Sequence, residues 1–341
     1  MTVGIIREHP RIFVSKFGVG QVIPKQDDNE LQSHHETISP KYLGHIMQSP
    51  FHAATPFVVI LLALAPSHII RANEPIRIVL VAGETAKKDK LGHHDYVGGC
   101  KCLAELLQQT QNIQTVTVEE GWPKDESIFA KASSIVFYTD GGGKQAFLEN
   151  RARIERVQEM VNSGTGIVLI HQALDFPEQF AEQAKSWSGG VYLQGPSGRG
   201  HWDSKHVDFP NHPIASGVVP WEINDGWLNG LQFVKDMKRI TPLVWSGKTY
   251  AGSRAGLDAD IVAFAYDRPD GGRSFSFSGL DAHSAWSLPG MRQLVVNGVL
   301  WSAGASIPES GAPCSIDESR LFEMQTPREA PPAKPATTKA K

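Results

Sequence analysis

The sequence predicts an α/β domain in which a parallel β-sheet is covered by helices on both faces. Short, continuous apolar runs alternate with segments whose apolar residues recur at helical spacing, and the links between them are short. A strand buried on both faces of a parallel sheet is typically a continuous apolar run, rather than an alternating one. We assign this domain to residues 74–305 of the 341-residue chain.

The first half of the domain contains four predicted parallel strands and two helices. The second predicted helix ends at Ser163-Gly164, a typical stop signal because glycine readily adopts the left-handed conformation. The strands are predicted at 76–81, 115–118, 135–138 and 167–170, and the helices at 98–109 and 144–162.

Three further strands and a closing helix complete the predicted domain. The strands are expected at 241–245, 261–266 and 273–278, with the Pro- and Gly-containing turn 268–272 joining the last two as a hairpin-like pair. The closing helix is expected at 293–302. The pattern then disappears, and because the end of the chain is rich in Pro, Ala and Lys, we expect residues 306–341 to be a disordered tail.

The apolar run FVVILLALA at 57–65 is too short to span a bilayer, which needs about 20 residues. It resembles the apolar region of a secretory signal, and Met47 lies at a suitable distance before it. We therefore expect residues 1–46 to be a mis-assigned upstream extension, 47–73 to be a signal peptide cleaved near Ala72, and the protein to be periplasmic or secreted without a stable membrane span. The alternative is a buried strand or short helix.

Composition excludes several classes of partner. The net charge of −3 argues against nucleic acid, which favours basic surfaces. The three cysteines, Cys100, Cys102 and Cys314, form no CxxC pair, so we interpret them as structural or free thiols. The GGGK string at 141–144 lacks the spacing of a P-loop, and no GxGxxG follows the first strand. We therefore expect no nucleotide cofactor.

Polar side chains follow several of the predicted strands, at the sheet edge where ligands bind in open parallel sheets. Because the carboxyl ends of these strands share one edge, we expect the loops to converge. The residues on these loops are His93, His94, Asp140, His171, Gln172, Asp281, His283 and Trp286.

His171 is the sharpest candidate because it directly follows a strand, and an imidazole can act as an acid, a base or a metal ligand near neutral pH. The alternative is a histidine that hydrogen-bonds to backbone at a strand end. His93 and His94 are adjacent, so on an extended segment they point in opposite directions. We expect at most one of the two to enter the site, and the sequence leaves open which.

A His- and Trp-rich segment, 198–218, is expected to be a surface loop that covers the site and supplies His201. Asp225 could bind sugar hydroxyls, and the flat face of Trp286 could stack on a sugar, although core packing is the commoner role of tryptophan. Several of these histidines together with Asp281 include the ligand types that zinc prefers. No HxxxH or HExxH spacing is present, so metal binding, with zinc as the candidate, stays an open hypothesis.

Four features resemble the ThuA-like (trehalose utilisation) family. They are the GHHDY loop at 92–96, the G-x-G-x-x-x-x-H pattern at 164–171, the NHPI stretch at 211–214 and the GLDAHSAW segment at 279–286. The resemblance covers 75–305 and implies a flavodoxin-like fold similar to class I glutamine amidotransferases. In those enzymes a cysteine nucleophile follows a central strand, whereas His171 occupies the corresponding position here. The resemblance therefore argues against amidotransferase and triad hydrolase activity and implies a sugar substrate.

The leading hypothesis is an exported enzyme that acts on a disaccharide or keto-glycoside by acid/base chemistry, as an isomerase, lyase or hydrolase. A non-catalytic sugar-binding module and a metal-dependent hydrolase are the alternatives. The exact substrate and homo-oligomer formation stay open. The residues assigned to catalysis are His171, His94, Asp281 and His283, and those assigned to substrate binding are His93, Asp140, Gln172, His201, Asp225 and Trp286.

Overall fold

The computed structural model describes residues 74–84, 90–247 and 260–328, all of which fall in one compact unit. The predicted upstream extension, the predicted signal peptide and residues 329–341 of the predicted tail lie outside the described residues. Within the described ranges, no helix is long and apolar enough to cross a membrane.

The first half of the domain builds the parallel part of the sheet, as predicted. Parallel pairing joins β1 to β2 and β3, and β3 to β4. The elements are β1 (Ile76–Ala82), α1 (Tyr96–Leu107), β2 (Ile113–Val118), β3 (Ser134–Tyr138), α2 (Arg151–Asn162) and β4 (Gly166–Ile170).

The second half adds the other edge of the sheet and two separate two-stranded pairings. Its elements are α3 (Ala181–Ser188), β5 (Gly190–Val191), β6 (Gly198–His206), β7 (Trp221–Asn229), β8 (Gln232–Phe233), β9 (Ile240–Trp245), β10 (Ile261–Asp267), β11 (Arg273–Phe277), α4 (Pro289–Ser302) and α5 (Glu318–Met324). The sheet order is β2-β1-β3-β4-β11-β10-β9, with β11 parallel to β4 and β10 antiparallel to both neighbours. The five parallel strands have the flavodoxin-like order, which confirms the predicted fold class.

Burial on both faces of the sheet explains why the strands are continuous apolar runs. All residues of β3 and β4 are buried. In β1, Ile78 and Leu80 enter the core shared with α1 and α4, whereas Val79 and Val81 enter the core shared with α2 and α3. Alternate side chains of one strand thus fill two hydrophobic cores, and the helices cover both faces as predicted.

The helix predicted from residue 144 begins later than expected. Asn150 is the N-cap of α2, and its side-chain oxygen accepts a hydrogen bond of 3.1 Å from the Arg153 N–H. A short 3₁₀ helix, Ala146–Leu148, precedes this cap. The capping side chain satisfies an N–H that has no partner inside the helix, and it therefore fixes where the helix starts.

The segment predicted as a surface loop at 198–218 instead begins with a strand, β6, which pairs antiparallel with β7 along its whole length. Side chains alternate along β6, so Arg199, His201 and Asp203 are exposed on one face while Ser204 and His206 are buried on the other. The prediction of a loop was wrong because the buried positions of β6 are polar or aromatic, and they give no apolar alternation in the sequence.

Residues 306–328 are ordered against the domain, which corrects the prediction that the disordered tail starts at 306. Leu321 and Met324, three residues apart on α5, are 4% and 7% exposed and belong to the same core as α1. Burial of these two side chains stabilises the packed position of the segment. We call residues 318–328 the C-terminal strap.

Candidate metal centre

Asp281 lies at the centre of four imidazoles at the carboxyl edge of the parallel strands. Its Oδ2 atom is 2.8 Å from His93 Nδ1 and 2.7 Å from His201 Nε2. Its Oδ1 atom is 2.9 Å from His94 Nε2 and 3.4 Å from His171 Nε2. The loops after β1, β4 and β11 therefore converge as predicted, and β6 adds the fourth imidazole, that of His201.

Both His93 and His94 reach Asp281, so the prediction that at most one of them enters the site was wrong. His94 has φ = 47°, in the left-handed region. The argument for opposite directions assumed an extended backbone, in which successive side chains alternate. The left-handed residue breaks that alternation, and both rings face the same carboxylate.

The inner side of the cluster contains a buried lone pair that faces a carboxylate oxygen. The Nδ1 atom of His171 is 3.0 Å from the Ser278 carbonyl oxygen, which can only accept, so Nδ1 carries the hydrogen. In the neutral ring Nε2 then presents its lone pair to Asp281 Oδ1. Within the described residues these two buried atoms have no hydrogen bond of acceptable geometry. Two electron-rich atoms facing each other in a buried space require a cation, a proton or a metal ion, between them.

His94 is the third member of an inner set that consists of His94, His171 and Asp281. Its Nε2 atom and the ligating atoms of His171 and Asp281 all lie within 4.8 Å of one another, a separation that one ion can bridge at metal–ligand distances of about 2.0–2.2 Å. Gln172 lies beside the set, with Nε2 2.9 Å from His94 Nε2. Two imidazoles and one carboxylate leave coordination positions open for water or substrate, as catalytic zinc sites do.

On the outer side of the cluster, formed by His93, His201 and Asp281 Oδ2, the polar atoms are already paired by hydrogen bonds. His93 and His201 both donate to Asp281 Oδ2, with acceptable geometry as well as distance. Their ligating atoms also lie within 4.8 Å of one another, but no lone pair is left facing the carboxylate. The His201 side chain is 56% exposed, against 26% for His93. An exposed imidazole that is oriented by a carboxylate is suited to proton transfer.

Asp281 carries a negative charge in this environment. Burial by itself raises the pKa of its carboxyl, but the close contacts with the His171 and His94 rings and a hydrogen bond from His201 outweigh burial. The pKa of Asp281 is therefore well below its usual range. An ionised carboxylate with two imidazoles is a donor set that suits a divalent transition metal.

Backbone strain is concentrated at this centre. His94, His171 and Leu280 have φ values of 47°, 55° and 68°. Each such non-glycine conformation costs about 1–3 kcal/mol and persists only where its surroundings impose it. At His171 the left-handed conformation turns the chain sharply at the end of β4 and leaves the imidazole at the sheet edge.

Asp225 was predicted to bind substrate, but its carboxylate is buried and bonded to backbone N–H groups. It is 1% exposed, and its oxygens accept from the N–H groups of Leu280 at 2.7 Å and Gly226 at 2.9 Å. The Ala282 N–H is a longer third donor at 3.4 Å. Burial raises the pKa of Asp225, although these backbone hydrogen bonds oppose that change. Asp225 therefore fixes the loop on both sides of Asp281.

His283 and Trp286 also differ from their predicted roles. His283 is 2% exposed, and its Nε2 atom donates to the Leu321 carbonyl oxygen of the C-terminal strap at 2.8 Å, so the ring is directed away from Asp281. Trp286 is fully buried in the core with α1 and α4, where no sugar could stack on it. Both residues support the loop that carries Asp281, and the geometry favours neither catalysis nor substrate contact.

Asp140 lies in the neighbouring Gly-rich loop and has partners of its own. Its Oδ1 accepts from the Gly141 N–H at 3.0 Å, and its Oδ2 pairs with Lys144 Nζ at 2.6 Å. The same loop contacts the turn after β4, because the Gly142 N–H donates to the Asp175 carbonyl at 2.8 Å. Asp140 is thus adjacent to the centre without joining the group of atoms around Asp281.

Arg199 is a functional candidate that the sequence analysis missed. It lies two residues before His201 on the exposed face of β6, and its guanidinium pairs with Asp175 Oδ2 at 3.1 Å. Burial raises the pKa of Asp175, and Arg199 acts in the opposite direction. Only the period-two spacing of Arg199 and His201 could have indicated that they share a face. The arrangement places a half-exposed cation near the imidazole best suited to proton transfer.

Several solved structures are similar to this chain. A ThuA-like protein from Bacteroides uniformis is 10% identical, with a TM-score of 0.52 over 71% of this chain and 98% of that protein. A ThuA-like protein from Parabacteroides merdae is 15% identical, with a TM-score of 0.47 over 71% and 98% of the two chains. A glutamine amidotransferase from Thermotoga maritima is 12% identical, with a TM-score of 0.36 over 67% and 96%.

The sequence itself gives the family. No curated protein matches it significantly. The sequence model of the ThuA family, described as trehalose utilisation, matches residues 79–302. This match includes the loops that carry His93, His94, His171 and Asp281, together with strand β6. The chain therefore belongs to the ThuA (trehalose utilisation) family.

Proposed function

We propose that this chain is a metal-dependent enzyme that acts on a disaccharide or a keto-glycoside. One observation carries the proposal, namely the buried Nε2 lone pair of His171 that faces the ionised Asp281 carboxylate, with His94 close enough to share an ion. Family membership suggests a function related to trehalose utilisation. A centre with three protein ligands and exposed polar groups on one side supports an enzyme over a simple sugar-binding module.

The two oxygens of Asp281 would have different roles: Oδ1 would bind the ion, and Oδ2 would orient the imidazole that transfers a proton. His94, His171 and Asp281 Oδ1 would hold the ion, and zinc is the first candidate because of the donor set. When bound, a divalent ion supplies Lewis-acid polarisation of a sugar oxygen. The Ser278 carbonyl holds the proton of His171 on Nδ1 and so keeps Nε2 directed inward, as supporting contacts do for metal-bound histidines.

His201 would move the proton. Because Nε2 donates to Asp281 Oδ2, Nδ1 is the ring nitrogen that can accept a proton from substrate. With a keto-glycoside, His201 Nδ1 would remove a proton from the carbon beside the carbonyl, and the electron pair would form a carbon–carbon double bond. The glycosidic oxygen would leave from the next carbon with the electrons of its C–O bond and would take up the proton that His201 removed. Arg199 and Gln172 would bind sugar oxygens.

Metal analysis and a turnover screen test this proposal. We expect the purified chain to bind about one equivalent of zinc, and His171→Ala to lose it. His201→Ala should retain the metal but lose turnover of trehalose, sucrose or their keto forms. His212→Asn is a matched control, because His212 is not among the imidazoles around Asp281; it caps a short 3₁₀ helix and packs against Trp301, and asparagine can cap the helix too.

Three results would distinguish the alternatives. Saccharide binding without any turnover would favour the sugar-binding module. Turnover that survives chelation would favour acid/base chemistry without a metal. Failure of the wild-type chain to bind zinc, manganese, iron or cobalt in stoichiometric amounts would overturn the assignment of His171 as a ligand.

Export belongs to the same proposal. The apolar run at 57–65 and the small residues after it support a signal peptide at 47–73, and the mature protein would then act in the periplasm or outside the cell.

A further inference from the structure

The C-terminal strap is attached to the domain through contacts that do not involve the candidate metal centre. Leu321 and Met324 are buried in the core shared with α1. Arg320 pairs with Glu105 at 3.0 Å on the surface of α1. The helix of the strap is therefore held in place independently of its last residues.

Those last residues contact the loop that carries His93 and His94. The Thr326 N–H donates to Asp95 Oδ2 at 2.8 Å, and the Arg328 guanidinium donates to the His93 carbonyl oxygen. The contact is close enough that a Cβ atom at Gly92 would collide with the Gln325 side chain. The strap thus contacts the loop that carries His93 and His94 through three of its last four residues.

His283 and Asp95 connect the strap, the loop and α1. The His283 ring donates to the Leu321 carbonyl at 2.8 Å, and the His283 N–H donates to the Gly92 carbonyl at 2.6 Å. Asp95 accepts from the strap through Oδ2 and caps α1 through Oδ1, which is 3.1 Å from the Gly98 N–H. The loop is therefore fixed at several points while His94 is in a left-handed conformation.

We propose that the C-terminal strap is a positioning element that sets the metal affinity of the centre, by holding the loop that carries His93 and His94. This inference rests on the proposed metal function. A strained loop conformation persists only if its surroundings impose it, and the strap supplies part of those surroundings. Supporting contacts to metal ligands typically change affinity by 10- to 100-fold when removed. The family match ends at residue 302, so the strap lies outside the matched region.

Paired substitutions in the full chain test the proposal. Arg328→Ala removes the donor to the His93 carbonyl, whereas Arg320→Ala removes the surface pairs with Glu105 and Glu323. We expect Arg328→Ala to weaken zinc binding about 10-fold, measured by competition with a chromophoric chelator. Arg320→Ala should leave zinc binding unchanged. Arg328→Lys should restore most of the affinity, because lysine can donate to the same carbonyl.

A second variant addresses the neighbouring contact. Asp95→Asn keeps an N-cap for α1, but turning an amide N–H₂ towards the Thr326 N–H removes that bond. It should also weaken zinc binding, with a midpoint of thermal unfolding in chelator close to that of Arg320→Ala. Equal zinc affinities for Arg328→Ala, Asp95→Asn and Arg320→Ala would overturn the role of the strap. Absence of zinc binding in the wild-type chain would instead overturn the proposed function.

Discussion

Replacing His206 by phenylalanine should remove a pH-dependent part of the stability of this chain. His206 is 4% exposed on the buried face of β6, with its ring 4.7 Å from that of Trp221 and 5.5 Å from that of Trp227. Burial lowers the pKa of His206 from 6.5 to about 4, and a backbone hydrogen bond at Trp245 only partly opposes this change. The native state therefore holds the ring neutral at mildly acidic pH.

The sign and size of the effect follow from the two pKa values. Above pH 6.5 the ring is neutral in both states. Between pH 6.5 and about 4 the unfolded chain binds a proton that the native chain does not, so the free energy of unfolding decreases as the pH falls. The loss is about 2 kcal/mol at pH 5 and about 3 kcal/mol at pH 4, from 1.36 kcal/mol per pKa unit. Below about pH 4 both states are protonated and the loss levels off.

Urea unfolding in the presence of chelator, at several pH values between 4 and 8, would measure this loss. Subtracting the His206→Phe curve from the wild-type curve removes contributions of the carboxyl groups that both proteins share. Loss of the hydrogen bond between the His206 ring and the Trp245 backbone should shift the unfolding free energy of His206→Phe by a constant amount at every pH. Parallel curves over this range would refute the reasoning, because they would show that the ring is not held neutral in the native state.

The other predictions concern the centre, its supports and export. Asp225→Ala leaves the buried N–H groups of Leu280 and Gly226 without their acceptor, so we expect a loss of about 2–4 kcal/mol in unfolding free energy and weaker zinc binding by titration. Arg199→Ala should raise KM for the sugar and leave the zinc content unchanged; a fall in zinc content would contradict a substrate-binding role. Fusing residues 47–73 to a reporter that is active only outside the cytoplasm should give activity, and cytoplasmic retention would contradict export.

The parallel sheet could be predicted from the sequence because the burial of its strands is visible in their amino-acid composition. A strand such as Ile167–Ile170 is buried on both faces, so every residue in it is apolar. The same rule located His171, since the carboxyl end of a buried strand is where a flavodoxin-like sheet binds ligands. Asp281 followed from the same reasoning, applied to the loop after β11.

The features that the sequence could not reveal depend on contacts between distant residues. The buried face of β6 contains Ser204 and His206. Their partners, Ser246 just after β9 and Trp221 on β7, become apparent only in the fold. The ordered strap depends on two apolar residues, Leu321 and Met324, in a short and otherwise polar helix. The direction of the His94 ring depends on a left-handed backbone conformation, which is uncommon for residues other than glycine and which the residue types do not announce.

The left-handed turn at the end of β4 has a consequence for how this fold changes its chemistry. The backbone, through φ = 55° at His171, decides where the side chain is presented, and the identity of that side chain decides only what is presented there. Substitution at this one position can therefore exchange one reaction type for another without rebuilding the sheet. Relatives that retain Asp281 but carry a different residue after β4 should be grouped by that residue before an activity is transferred between them.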